Sequence, residues 1–229
     1  MFTPPELFDL SQTEHASLFD DCQYSWEALK HLEPYLASKK FRSQKPQSFP
    51  GANIGEQVQI GEGTLIEPGA TIKGPAIIGK NCRIRHNAFI REFVIIGNEC
   101  VIGNSTEVKH SLLFNGVAAA HFNYVGDSIL GFQSHLGAGV KISNLKVTAG
   151  NVFVIADRHR VDSGLRKFGA LIGDHAEIGC NAVLNPGSVI GRGSLIYPLT
   201  NWRGTLPANA IAKNKAVVEV SPRQGAGAV

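Results

Sequence analysis

The feature that most constrains this chain is a period of six. Stepping from Ile54 gives Ile60, Ile66, Ile72, Ile78, Ile84, Ile90, Ile96, Ile102 and then Val108. Two residues before each stands a small or β-branched side chain, including Val58, Thr64, Ala70, Ala76, Cys82, Ala88, Val94, Cys100 and Thr106. Glycine follows the aliphatic residue at positions 55, 61, 79, 97 and 103. Self-similarity at a fixed period marks a repeat architecture. Each unit reads as a short strand with its isoleucine pointing inward, followed by a turn. Three units close a triangular coil of 18 residues, and stacked coils lie about 4.8 Å apart, the ordinary interstrand spacing. The expected fold is all-β: a single-stranded parallel β-helix with continuous inward ladders. Cys82 and Cys100 fall in the small inward slot, which makes them packing residues rather than redox centres.

The period slips after Phe114 and resumes in a new phase at Leu130, Leu136 and Ile142, then at Ile172, Ile178, Leu184, Ile190 and Ile196. Residues from about 145 to 170 form an inserted loop with a strand-like NVFVIA and a basic cluster of Arg158, His159, Arg160, Arg166 and Lys167. Loops of that length are usually functional or disordered. Residues 1–48 lack the hexad. Ser11 and Glu14 give a capping-box signal, and SWEALKHLEPYL has helical spacing until Pro34 interrupts it. This segment is expected to be a short helical cap over the open end of the stack. The β-helix then spans 49–215, and 216–229 form a mobile tail.

Composition narrows the function classes. A charged share of 18% and 25 glycines in 229 residues suit a turn-rich β protein. A net charge of +3 gives no broad nucleic-acid footprint. No apolar run reaches the ~18 residues of a membrane span. The start, MFTPPELFDL, lacks the basic and apolar regions of a signal peptide, so a cytoplasmic location is expected. The four cysteines show neither CxxC nor zinc spacing, and no metal site is expected. His86 and His121 lack a third histidine at a convincing ligand spacing.

Coil arithmetic groups the candidate chemistry. Lys73, Arg91 and Lys109 are spaced by 18, so they stack in one outward column. Without intervening acids, such a column would repel itself unless an anion joined it. Arginine grips phosphate in bidentate fashion and lysine adds a point charge. His121 lies at the register break, and an ordinary histidine pKa near 6.5 suits proton transfer at neutral pH. Gly137, Ala138 and Gly139 offer close backbone approach and amide donors, although a tight turn would need no ligand. Gly139 is 18 residues beyond His121, which would leave open space beside the imidazole.

The hexad, with NAFIREFVIIG, NSTEVKHSLL, AAHFNYVGDSILG, HLGAGVKISNLK and SGLRKFGALIGDHAEIG, resembles the C-terminal domain of sugar-1-phosphate nucleotidylyltransferases. The bifunctional glucosamine-1-phosphate acetylating type, in its archaeal form, is the most similar. The resemblance covers about residues 50–215 and implies a left-handed β-helix of the hexapeptide-repeat acyltransferases. It implies N-acetylation of an amino-sugar-1-phosphate by acetyl-CoA for nucleotide-sugar and cell-envelope synthesis, in a homotrimer with sites between subunits. It assigns His121 as the base, Glu107 as an acid orienting the amine or His121, and Arg91 and Lys109 to the sugar phosphate. Tyr124, Asn144 and Lys167 would contact substrate, with a turn or an Asn ladder open as the alternative for Asn144. The acetyl-CoA groove would be lined by Gly137, Ala138, Gly139, Ala170 and Cys180, with Arg166 and Lys213 as weaker candidates. His135, Leu145 and Cys180 depart from the family pattern in the sugar and acyl pockets. Residues 1–50 are too short for the nucleotidylyltransferase half, so no pyrophosphorylase activity is expected. A non-catalytic sugar-phosphate-binding homologue is the alternative.

Overall fold

The inward ladders are present and dry. Ile66, Ile72, Ile78, Ile84, Ile90, Ile96 and Ile102 belong to one buried core with Cys82 and Cys100 between them. The computed structural model describes residues 2–41, 47–156 and 159–214, so the expected mobile tail and Arg158 lie outside the described residues. The chain winds as a three-sided solenoid with parallel sheets of nine, eight and eight strands. The first sheet includes Arg83–Ile84, Val101–Asn104, Ala118–His121 and His135–Leu136. The second includes Phe89–Ile90, Glu107–Lys109, Tyr124–Gly126 and Lys141–Ile142. The third includes Val94–Ile96, Ser111–Leu113, Ile129–Leu130 and Ala170–Ile172. Identical side chains pair across rungs, as in Ile66 with Ile84 and Ile72 with Ile90. Each fully buried isoleucine contributes about 1.5–3 kcal/mol, which is why two-residue strands suffice. The cysteine thiols reach carbonyls: Cys82 Sγ lies 3.0 Å from Gly97 O and Cys100 Sγ 3.1 Å from Phe114 O.

The N-terminal segment covers a side of the solenoid rather than its end. Leu7, Phe8, Leu18, Trp26, Leu29, Leu32 and Leu36 pack with Ile77, Ile95, Leu112, Ile129, Leu171 and Val189, the outward residues of the third sheet. Those outward positions are apolar on consecutive rungs, so that face needs a partner layer. The insertion extends the layer: Phe153–Ala156 and His159–Asp162 form an antiparallel hairpin whose Val152 and Val154 join the same cluster. The helix Ala28–Ala37 runs on through Pro34, because burial of Leu29, Leu32 and Leu36 outweighs the hydrogen bond that proline cannot make. The expected Ser11–Glu14 box is absent. Asp9 caps a single 3-10 turn through the Ser11 amide at 3.0 Å, and the reciprocal box forms at Thr3 and Glu6.

This layer carries a pH-sensitive group. His15 Nδ1 lies 2.8 Å from the Tyr35 hydroxyl. Burial lowers the imidazole to about 4; the Glu14 carboxylate opposes that shift and Lys39 adds to it. A histidine depressed in the folded state stabilises fully above its unfolded value near 6.5, and that contribution is lost as pH falls toward 4. The loss is at most about 3 kcal/mol, reduced because the ring retains some contact with water. Urea unfolding at pH 7.5 and pH 4.5 should show it, and His15→Gln should flatten the difference.

Candidate active site

Coil length changes at one corner only. Inward residues are six apart from the third sheet to the first (Ile96 to Ile102, Leu113 to Ala119) and from the first to the second (Ile102 to Val108, Ala119 to Val125). Between the second sheet and the third, Val108 is followed after five residues by Leu113, and Val125 after five by Leu130. At the next rung the same corner takes the long insertion between Ile142 and Ile172. The phase therefore changes between Lys109 and Ser111, not after Phe114, whose ring instead packs on Phe8 outside the solenoid at 5.1 Å. The first two shortened turns contain His110 and Asp127, and both residues adopt positive φ, 44° and 48°; a third, between Trp202 and Leu206, takes only four residues.

The outward column at this corner holds the basic residues. Phe89 aligns with Glu107 and Ile90 with Val108, so Lys73, Arg91 and Lys109 do stack on successive rungs, with Gly126 next to Lys109. The column is not free of acids, which corrects the expectation from spacing alone. Lys73 Nζ lies 3.5 Å from Glu92, Arg91 Nη1 3.0 Å from Glu107, and Lys109 Nζ 3.6 Å from Asp127. Three carboxylates that sequence spacing did not place among them neutralise three cations. Beside this column run Glu107, Tyr124 and Lys141 on adjacent rungs. Burial raises the Tyr124 phenol, as do the Glu107 and Asp127 charges, against Arg91 and a hydrogen bond with Asn144.

The Asn144 side chain pairs with Asp127 across the rungs. Its Nδ2 donates to Asp127 Oδ2, and the Asn144 backbone carbonyl accepts the Phe168 amide at 2.9 Å. That amide and the Leu145–Lys167 bridge return the insertion to the corner, so Lys167 arrives beside Asn144. Arg166 is drawn back into the loop, 3.4 Å from Gly150 O. A cavity of about 280 Å³ opens on the same side, lined by Ser143, Lys146, Asn185 and Arg203 among others.

His121 ends the strand Ala118–His121 at the corner between the first and second sheets, and its side chain is exposed. Phe122 turns the corner with φ 53°, an uncommon conformation for a bulky residue, and is itself 58% exposed. Asn104 pairs with His121, and Asn104 Nδ2 reaches His86 O at 3.2 Å, so the two histidines are separated by a rung. Among the described residues no group of three His, Cys, Asp or Glu is placed to hold a metal ion.

The proposed donor groove needs three corrections. The coil after His121 has 17 residues, since Ala118 aligns with His135, so Ala138 rather than Gly139 stands beside His121. Gly139 N donates to His121 O at 2.9 Å and Gly137 N to Ile178 O at 2.7 Å, so neither amide is free. Ala170 is fully buried in the solenoid core and its amide donates to Ser128 Oγ at 3.0 Å. Its methyl and amide are both closed to a ligand. Cys180 is exposed and lines a largely apolar groove of about 310 Å³ with His135, Gly137, Gly179, Tyr197 and Pro198. Lys213 lies over the Tyr197 ring at 5.1 Å, at the end of that groove.

The chain is a hexapeptide-repeat solenoid of triangular section with a polar cluster on one face and a largely apolar groove on the next. Residues 72–165 match the family model described as the GMPPB C-terminal domain. Over 94 residues the chain is 42% identical to the "Bifunctional sugar-1-phosphate nucleotidylyltransferase/acetyltransferase" of Sulfurisphaera tokodaii, 41% of this chain and 23% of that one. Over 93 residues it is 39% identical to the "Bifunctional protein GlmU" of Methanococcus maripaludis, 41% of this chain and 22% of that one. The chain thus spans about a quarter of the length of these relatives. Among solved structures, the UDP-N-acetylglucosamine acyltransferase of Campylobacter jejuni aligns with a TM-score of 0.46 at 15% identity, over 72% of this chain and 71% of that one. The chain resembles the C-terminal domain of bifunctional sugar-1-phosphate nucleotidylyltransferase/acetyltransferases, and only that region is matched. No helix among the described residues is long and apolar enough to cross a membrane.

Proposed function

We propose that this chain is an N-acetyltransferase that moves an acetyl group from acetyl-CoA to the amine of an amino-sugar-1-phosphate, with glucosamine-1-phosphate the first candidate. The observation that carries this reading is the cluster of Arg91, Glu107, Lys109, Tyr124 and Asn144 on consecutive rungs. It lies inside the span most similar to proteins named for acetyl transfer. In the proposed reaction the amine attacks the thioester carbonyl, the C–S bond breaks, and the departing thiolate is protonated. His121 accepts the amine proton and returns it to the sulfur. Glu107 orients the amine; Arg91 and Lys109 hold the phosphate; Tyr124, Asn144 and Lys167 bound the sugar. Ala138, whose amide the neighbouring rung does not take, is the remaining backbone donor for the oxyanion among Gly137, Ala138 and Gly139. The acyl carrier runs along the groove past Gly137 and Cys180. A cytoplasmic homotrimer, with each site completed by a neighbouring subunit, and a place in nucleotide-sugar synthesis belong to the same proposal.

Thiol release from acetyl-CoA tests it. Release should require an amino-sugar-1-phosphate and be slow with the unphosphorylated amino sugar. Arg91→Ala should raise KM for the sugar phosphate by about 10- to 100-fold, the usual worth of a charge-assisted hydrogen bond. The pairing of Arg91 and Lys109 with Glu107 and Asp127 favours a second reading, a non-catalytic sugar-phosphate-binding homologue. Binding of the sugar phosphate with no thiol release above a His121→Ala background would select it.

A further inference from the structure

We propose that Asp127 is a positioning residue for this site, its carboxylate holding the Asn144 amide in the geometry that receives the sugar phosphate; this rests on the reading above. Asp127 occupies the second shortened turn of this corner. Losing one residue there pulls the side chain in, so that only 6% of it remains exposed. A carboxylate so enclosed must be paired. Oδ1 lies 3.0 Å from His110 Nδ1, and Oδ2 faces both Asn144 Nδ2 and, at 3.6 Å, Lys109 Nζ. Its own backbone is fixed on both sides: the amide donates to Lys109 O at 3.0 Å, and the carbonyl accepts the Gly169 amide at 2.8 Å.

Each partner gives the carboxylate a consequence. An ionised aspartate only accepts hydrogen bonds, so it dictates which end of the Asn144 amide turns toward it. The NH2 group points at Asp127 and Tyr124, and the carbonyl oxygen is left for another donor. The Gly169 bond anchors the end of the insertion, which brings Lys167 to the same place. Burial by itself would raise the Asp127 carboxyl, but the facing His110 imidazole, the hydrogen bond from Asn144 and the Lys109 charge hold it below the usual range. Arg91, in the column of Lys109, and Glu107, in the column of Tyr124, are satisfied by each other.

The test uses the full chain with Asp127→Asn, Asn144→Ala and the double variant. Affinity for glucosamine-1-phosphate is read by calorimetry and turnover by thiol release. Asp127→Asn should weaken Kd and lower kcat/KM by about tenfold or more. The double variant should be no worse than Asn144→Ala by more than about twofold, because the two act as a unit. Multiplied losses in the double variant, or Asp127→Asn within twofold of the parent, would overturn the proposal. Should Asp127→Asn fail to fold, Asn144→Asp replaces it. Two facing carboxylates share a proton more readily at low pH, so its affinity relative to the parent should recover between pH 8 and pH 5.5; a flat ratio overturns the proposal. Sugar-phosphate binding without thiol release removes the transferase reading and leaves Asp127 to be judged on Kd. Absence of any sugar-phosphate binding removes both.

Discussion

His121→Ala should lower kcat for acetyl transfer by about 10²- to 10⁴-fold, the range expected for loss of a positioned general base. The attacking nitrogen must lose a proton as the N–C bond forms, and water replaces imidazole poorly in that role. Because the His121 side chain is exposed at the end of its strand, the same change should alter stability by no more than about 0.5 kcal/mol. That separation makes the experiment informative: activity falls while the melting temperature stays. His121→Asn is a useful companion, since it keeps a polar group without a titrating base. A rate within tenfold of the parent would remove His121 from the chemistry. A matching loss of stability would assign it to the fold.

Gly103→Ala should be the most damaging single methyl among the described glycines. A Cβ built at Gly103 would lie 1.5 Å from Ala120 O and 2.0 Å from Ala120 C. Both are backbone atoms of the next rung, so no rotamer relieves the contact. The strands Val101–Asn104 and Ala118–His121, which align Val101 with Ala118 and Asn104 with His121, would have to part. Overpacking of this kind costs more than about 3 kcal/mol when the backbone must move. Urea midpoints measure it. Gly55→Ala, whose nearest backbone contact would be 3.1 Å from Gly74 N, should lose much less. Since His121 ends the displaced strand, Gly103→Ala should also lose activity at temperatures where it remains folded. An unchanged midpoint would mean that the rungs at this level are not packed as described.

The solenoid was legible because its core repeats: an inward isoleucine every six residues leaves few other foldings, and the triangular coil, the stacked Arg91 and Lys109, and the core placement of Cys82 and Cys100 follow from it. Counting failed where one residue was missing. A turn of five instead of six moves every later side chain by a position. The register after Val108 therefore misled, and Gly139 was placed where Ala138 stands. The signal was present in the run Leu113, Ala119, Val125, which keeps the period once the shortened turn is allowed. Pairing with the acids Glu92, Glu107 and Asp127 was not legible from spacing. It depends on how three residues bend around one corner rather than on how far apart they lie in the chain. The N-terminal segment was recognisable as helical, but its target was not, because the apolar outward residues Ile77, Ile95 and Leu112 are hidden inside hydrophobic runs such as VII and AII. Ala170 shows the remaining weakness of position-by-position transfer: a residue matched to a ligand contact is here sealed in the core.

A crystal structure with coenzyme A and glucosamine-1-phosphate bound together tests the central claim most directly. It should place the phosphate on Arg91 and Lys109, the amine within hydrogen-bonding reach of the His121 imidazole, and the thiol in the Gly137–Cys180 groove directed toward that amine. A sugar phosphate seated elsewhere on the solenoid, or an amine out of reach of His121 with the carrier on another face, would contradict it.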